Sequence, residues 1–254
     1  MLERVRCLGK RSRIRDRWDL KPVFPSPTAA ELPLLAELAS VDPFELEVEG
    51  IRIEIDREID PWIVYALICD AYEHGDMDLL RKYMQPGQIV GVIGAGIGVT
   101  AALSAKISGL PVRVIEANPK MLPRLRDTAH RNQVIFDIRH GAVGIFESSI
   151  VPFTVSDEFW ASASDCQHRP RYQIQVVAIS PHQAFEGLDF AICDIEGGEI
   201  FLLEVELPLS VRTLLVEIHP RTIGEKKAAS VMNAIWNQGF KLSDFHGMSY
   251  LFKR

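Results

Sequence analysis

The residues best equipped for chemistry lie in the run DFAICDIEGGE, Asp189 to Glu199. Asp194, Glu196 and Glu199 put carboxylates around Gly197-Gly198 at the end of a short apolar stretch. Carboxylates this close can bind a hard cation, or can shift one another's pKa until one serves as a base. Glu199 is read more plainly, as an acid at a helix start favoured by the helix dipole, while Asp194 and Glu196 are read as site residues. A second run, LLVEIHP, places Glu217 and His219 at the end of another apolar stretch. A histidine there is a candidate proton acceptor near neutral pH. A third, IVGVIGAGIG, carries Gly94, Ala95, Gly96 and Gly98 as GxGxG. Glycines let such a turn bend sharply and approach a ligand closely. The amides at the following helix start favour a negative group. In VIEANP, Glu116 closes the next apolar stretch, where an acid would grip ribose hydroxyls.

These residues share one crevice only if the chain alternates strands and helices. Ile89–Ile93 reads as a strand, Val99–Ser108 as a helix ended by Gly109, and Val112–Ile115 as the next strand. A helix through His130 follows, then strands Val134–Ile138, Phe190–Cys193 and Leu214–Ile218. Such β-α alternation implies a mostly parallel sheet with helices on both faces. In an open sheet of this kind ligands sit outside the carboxyl ends of the strands, so Asp194 and Glu196 should face Gly94–Gly98. The C-terminal segment Phe240–Arg254 reads as strand, turn at His246-Gly247, strand, and adds an antiparallel edge hairpin. Residues 145–188 depart from the alternation as an insertion, with a strand over Tyr172, Ile174 and Val176 paired as a hairpin.

Upstream, FELEVEGIRIEID alternates as a β-hairpin with Phe44, Leu46, Val48, Ile51, Ile53 and Ile55 on its buried face. Pro61–Met84 reads as helical, broken at Gly75. A short helix is expected over Glu31–Ala39, after a Pro-rich stretch from Lys21 to Pro27. The organisation is therefore an arm over 1–43, a hairpin and helical segment over 44–84, and a main domain over 85–254.

With 254 residues, 47% apolar and 24% charged, the chain can bury a sizeable core. A net charge of -6 gives no general reason to expect nucleic-acid binding. The arm over residues 1–21 carries eight Lys/Arg against three Asp/Glu, read as a solvated terminus. No apolar run approaches bilayer length, and the N-terminus lacks the apolar core of a secretory signal, so the chain reads as cytoplasmic. Cys7, Cys69, Cys166 and Cys193 form no CxxC pair and read as reduced thiols.

The glycine loop and Glu116 suit nicotinamide or S-adenosylmethionine binding alike. Val99 begins to separate them, because a dinucleotide fingerprint prefers a third Gly there. The ordered motifs over residues 72–219 resemble the FkbM family of S-adenosylmethionine-dependent methyltransferases. AYEHGDMDLLRKYMQPGQIVGVIGAGIG is similar to that family's Tyr-Glu pair, helix, Pro-Gly, strand and Gly-Ala-Asn-x-Gly. VIEANP resembles its second strand ending in Glu-Pro, HGAVG its Ala-Val-Gly, CDIEGGE its Asp-x-Glu-Gly-x-Glu signature, and LLVEIH the strand after it.

The resemblance implies a Rossmann-like methyltransferase fold. It implies methyl transfer from S-adenosylmethionine to a hydroxyl oxygen of a sugar, glycolipid or natural-product acceptor. Cofactor contacts would come from Tyr72, Glu73, Gly94, Ala95, Gly96, Gly98, Glu116, Ala117, Asn118, Ala142, Val143 and Asp194, with Ala142 near the adenine. Candidate catalytic residues are Asp194, Glu196 and His219. No metal is expected, because the resemblance gives the acidic segment to cofactor and substrate positioning. The partner is a small-molecule acceptor, and a homo-oligomer stays open. Two positions depart from the family. Val92 stands where an acid two residues before the first Gly would approach the cofactor's ammonium group, and Gly96 replaces the Asn of Gly-Ala-Asn. Glu73 is the candidate substitute for the acid missing at Val92. The rival readings are a degenerate, non-catalytic nucleoside-binding module and an NAD-dependent dehydrogenase.

Overall fold

The computed structural model describes residues 43–56, 58–59, 61–69, 71–156 and 171–254. The readings for the arm, the Pro-rich stretch, the helix over Glu31–Ala39, Cys7 and Cys166 lie outside these residues. The chain forms two compact units that divide between His74 and Gly75. Among the described residues no helix is long and apolar enough to cross a membrane.

In the first unit, β1 (Phe44–Val48) and β2 (Ile51–Ile55) pair antiparallel with Val48 opposite Ile51. Glu49 and Gly50 both take positive φ, 51° and 84°, the backbone demanded by a two-residue hairpin turn. Leu46, Val48, Ile51, Ile53 and Ile55 are buried, as their alternation requires. Helix α1 (Pro61–Ile68) follows.

Helix α2 (His74–Tyr83) starts at the last residue of the first unit and otherwise belongs to the second. The expected break at Gly75 is therefore misplaced, since the interruption falls before His74 and Gly75 lies in the first turn of α2. Gly75 serves close packing instead. A Cβ there would come within 2.9 Å of the His246 carbonyl oxygen.

The second unit is built on a seven-stranded sheet. Its strands are β3 (Val90–Ile93), β4 (Val112–Glu116), β5 (Phe136–His140), β9 (Phe190–Cys193), β10 (Thr213–Glu217), β11 (Lys241–His246) and β12 (Ser249–Lys253). Their order is β11-β12-β10-β9-β3-β4-β5. The pairs β3–β4, β4–β5, β3–β9 and β9–β10 are parallel. β12 runs antiparallel to both β10 and β11, which is the C-terminal edge hairpin expected. The fold is α/β and Rossmann-like, mostly parallel with that antiparallel edge. Starting from β3, the chain builds outward through β4 and β5, then returns to the other side of β3 with β9 and β10. In open sheets of this kind ligands sit outside the carboxyl ends of the strands at the switch point, which here lies between β3 and β9.

Helix α3 (Val99–Ser108) ends on Gly109 at φ 71°, whose N–H bonds the Ala105 carbonyl. Helix α4 (Met121–Asn132) joins β4 to β5. β5 begins two residues later than its apolar run Val134–Ile138 predicts. Ile135 is 66% exposed, so the apolar run marks the approach to this strand and not its buried face.

Within 145–188, β7 (Ile150–Ser156) and β8 (Arg171–Ile179) form the expected antiparallel pair. From just before that segment, β6 (Ala142–Val143) adds a parallel third strand to β8. Helix α5 (Pro181–Phe185) opens with a capping box of Ser180 and Gln183. A 3-10 helix over Gly198–Leu203 follows β9, and α6 (Pro220–Ile223) and α7 (Glu225–Asn237) follow β10. Phe185, Leu188, Leu202, Leu214, Val216, Val231, Ile235, Phe240 and Phe252 fill one core cluster of this unit.

Candidate active site

Two loops meet at the switch point. Gly94 N–H bonds the Ile115 carbonyl at 2.9 Å, and Asp194 N–H bonds the Ile93 carbonyl at 3.0 Å. A Cβ on Gly94, whose φ is 81°, would overlap the Asp194 carbonyl oxygen. Only glycine lets β3 turn this close to the loop after β9. Gly96 and Gly98 also take positive φ, 52° and 88°. Asn tolerates the left-handed region better than most residues. Gly96 in place of Asn therefore keeps the shape of the loop.

Glu116, at the end of β4, is 8% exposed. Its carboxylate accepts from Gly96 N–H at 3.0 Å and Asn118 N–H at 2.7 Å. Burial pushes its pKa up, and the backbone donors, Asn118 and Gly96 foremost, oppose that. So Glu116 braces the glycine loop from within. The Asn118 side chain is 3% exposed; its Oδ1 accepts from Lys120 N–H, while Nδ2 has no partner among the described residues. A buried amide donor without an acceptor is costly unless a ligand supplies one. Gly141 N–H bonds the Glu116 carbonyl at 3.0 Å, which brings the Gly141–Val143 turn beside Glu116 and Ala117. The structure thus gathers Gly94, Ala95, Gly96, Gly98, Glu116, Ala117, Asn118, Ala142 and Val143 on one side of the switch point. Tyr72 and Glu73 lie in the first unit, in the turn before α2, with Glu73 at φ 48°.

The other side is an acidic pocket around His219. Glu199 does begin a helix, as expected, but the dipole is not its main business. The carboxylate is fully buried and accepts from Gly197 N–H at 2.7 Å, His219 N–H at 2.7 Å and His219 Nδ1 at 3.2 Å. Burial alone would raise the Glu199 pKa, yet the bonds and charge of His219 hold it below the ordinary value. With Nδ1 committed to Glu199, His219 Nε2 points at Glu196 Oε2 (3.3 Å), Asp194 Oδ1 (3.7 Å) and Glu217 Oε1 (3.7 Å). Burial works against a charged imidazole, but Glu199, Asp194 and Glu196 outweigh it and lift His219 to about 9.

Burial, then the charges of Glu217 and Glu196, push Asp194 well above the usual carboxylate range. Glu196 is raised by burial and by Glu199. Its backbone takes φ 51°, a strained conformation for a residue with a side chain.

Asp76 on α2 completes the pocket. It is 4% exposed, and burial lifts its pKa to about 6 against a bond from Ser249 and the charge of His219. Ser249 sits opposite Glu217 in the β10–β12 ladder. Sequence reasoning missed Asp76, because an acid in the first turn of a helix is ordinary there. It noticed Glu217 without giving it a role.

No protein-family model matches the chain, and no curated protein matches it. Among solved structures, a methyltransferase from Pyrococcus furiosus is 15% identical, with 88% of this chain and 96% of that one covered and a TM-score of 0.47. Trm5b from Pyrococcus abyssi is 14% identical over 84% of this chain, with a TM-score of 0.46, and this chain spans 55% of its length. Fibrillarin from Aeropyrum pernix, in complex with natively bound S-adenosyl-L-methionine, is 14% identical over 69% of this chain and 71% of its own, with a TM-score of 0.43. These are likenesses at low identity and low TM-score, so the residues of this chain carry the functional reading.

Proposed function

We propose that the chain is an S-adenosylmethionine-dependent methyltransferase acting on a hydroxyl oxygen of a sugar, glycolipid or natural-product acceptor. The observation that carries this reading is the meeting of Gly94 and Asp194 at the switch point, with Glu116 and the unpaired Asn118 amide on one side and the His219 pocket on the other. In this reading the chain is similar to FkbM methyltransferases on its motifs alone.

When bound, the cofactor supplies a sulfonium methyl. The glycine loop would hold its methionine end, Glu116 would accept from the ribose hydroxyls, and Asn118, Ala117, Ala142 and Val143 would border the adenine. Holding the acceptor oxygen in line with the methyl is the main contribution asked of the protein. Methyl transfer would leave the S–C electron pair on sulfur, and the hydroxyl proton would pass to the carboxylates of Asp194 or Glu196, with His219, lifted to about 9, holding their charge. Glu116→Ala is expected to weaken S-adenosylmethionine binding by about 1–3 kcal/mol, the cost of losing a charged hydrogen-bond partner. Calorimetric titration checks this, and unchanged affinity removes Glu116 from the site.

One observation favours a second reading, a non-catalytic nucleoside-binding module. Val92 is 2% exposed in β3, between Val114 and Ile192 on the neighbouring strands, and offers the cofactor neither charge nor hydrogen bond. The resemblance alone makes Glu73 the candidate for the missing charge. Glu73→Gln is then expected to lower S-adenosylmethionine affinity by about 1–3 kcal/mol, the range for a charge-assisted bond, with little change from Val92→Asp. If instead Val92→Asp creates binding that the natural chain lacks, the non-catalytic reading wins.

A further inference from the structure

The His219 pocket gathers five carboxyl groups around one imidazole. Asp76, Asp194, Glu196, Glu199 and Glu217 all interact with this histidine or with its neighbours. We propose that Asp194, Glu217 and His219 form a binding site for one divalent metal ion. The claim concerns metal binding and does not rest on the methyl-transfer reading. It reverses the expectation drawn from the sequence that no metal is involved.

Three independent features support it. The first is spacing. One ligand atom from each of Asp194, Glu217 and His219 can be chosen so that all lie within 4.8 Å of one another. The Nε2 atom stands 3.7 Å from Asp194 Oδ1 and 3.7 Å from Glu217 Oε1. Those separations are too long for hydrogen bonds. Metal–ligand bonds of about 2.0–2.2 Å put neighbouring ligands about 3.0–3.6 Å apart, so the two edges to Nε2 need to close only slightly.

The second is the Glu199–His219 contact. A metal-binding histidine typically donates its other ring N–H to a carboxylate, which fixes the tautomer and turns the free lone pair toward the ion. Glu199 holds Nδ1 in this way at 3.2 Å, and also holds the backbone N–H of His219 at 2.7 Å. The ring cannot turn its Nε2 away from the two carboxylates.

The third is the state of the oxygens. Asp194 Oδ1 is buried and has no hydrogen-bond partner among the described residues. Asp76, 4% exposed, likewise has a buried Oδ1 with no partner, and its charge is felt by both Asp194 and His219. Buried carboxylate oxygens without donors are costly. A cation held by Asp194 offsets that cost.

Two carboxylates and an imidazole suit manganese, iron, zinc or magnesium, with remaining positions for water or an acceptor oxygen. The ion would lie at the carboxyl ends of β9 and β10, beside the glycine loop, where it could hold and polarise the oxygen of an acceptor.

The test uses the full-length chain, stripped with EDTA and titrated with Mn2+, reading free Mn2+ by its EPR signal and protein stability by melting temperature. The natural chain should bind Mn2+ saturably and melt higher when loaded. Asp194→Asn and Glu217→Gln should weaken Mn2+ binding at least about 10-fold, and Glu199→Gln by about 10–100-fold, the usual effect of losing a supporting carboxylate. In EDTA, Asp194→Asn and Glu217→Gln should melt at or above the natural chain, because each removes a charge from a crowded cluster. Glu225→Gln, an exposed acid at the start of α7, should bind Mn2+ as the natural chain does. Absence of saturable binding at millimolar Mn2+ overturns the proposal. So does binding that Asp194→Asn and Glu217→Gln leave unchanged.

Discussion

Replacing Gly94 with alanine is expected to lower the unfolding free energy by about 2–5 kcal/mol and to abolish cofactor binding. About 1–2 kcal/mol comes from holding a residue with a side chain in the left-handed region. About 1–3 kcal/mol more comes from forcing a methyl into space already filled. The filled space here is the backbone carbonyl of Asp194, which cannot swing aside as a flexible side chain would. Gly109 provides the control. It takes φ 71°, but a Cβ there meets nothing within 4 Å. Gly109→Ala should therefore cost only the conformational part. Urea denaturation of the two variants checks the difference, and equal losses would mean that β3 and the loop after β9 do not meet as described.

The second large effect belongs to Glu199. Glu199→Ala is expected to cost about 3–5 kcal/mol, since each buried donor left without a partner costs about 1–3 kcal/mol and losses at one group are not fully additive. Three donors lose their acceptor: Gly197 N–H, His219 N–H and His219 Nδ1. Glu199→Gln should cost less, because its carbonyl oxygen keeps part of that set. Denaturation midpoints for both variants measure this. A change within about 0.5 kcal/mol for Glu199→Ala, the range of an ordinary surface substitution, would show that Glu199 does not organise the pocket.

The contrast between these two residues marks where the sequence was legible. Gly94 stands out because a glycine loop between an apolar strand and a helix has a local signature, and the structure puts it at the switch point. The sheet was legible for the same reason. Phe190–Cys193 is four apolar residues in a row, and Val99–Ser108 runs to a glycine stop at Gly109. β5 was misplaced because its apolar run includes the exposed Ile135 and its strand continues through Asp137, Arg139 and His140.

Glu199 and Asp76 were illegible in their roles. Each is an acid in the first turn of a helix, where the dipole is a sufficient local explanation. What makes them part of the pocket is tertiary. Glu199 meets a histidine 20 residues on, and Asp76 meets Ser249 from the far end of the chain. Glu116 was found by its spacing from the glycine loop, yet its bond to Gly96 N–H depends on a fold the spacing does not describe.

The central claim is that the crevice between β3 and β9 binds S-adenosylmethionine. Isothermal titration of the full-length chain with S-adenosylmethionine, S-adenosylhomocysteine and NAD tests it most directly. The account predicts saturable one-to-one binding of the first two, weakened by Glu116→Ala, and no saturable heat with NAD. Saturable binding of NAD with none of S-adenosylmethionine or S-adenosylhomocysteine would contradict it.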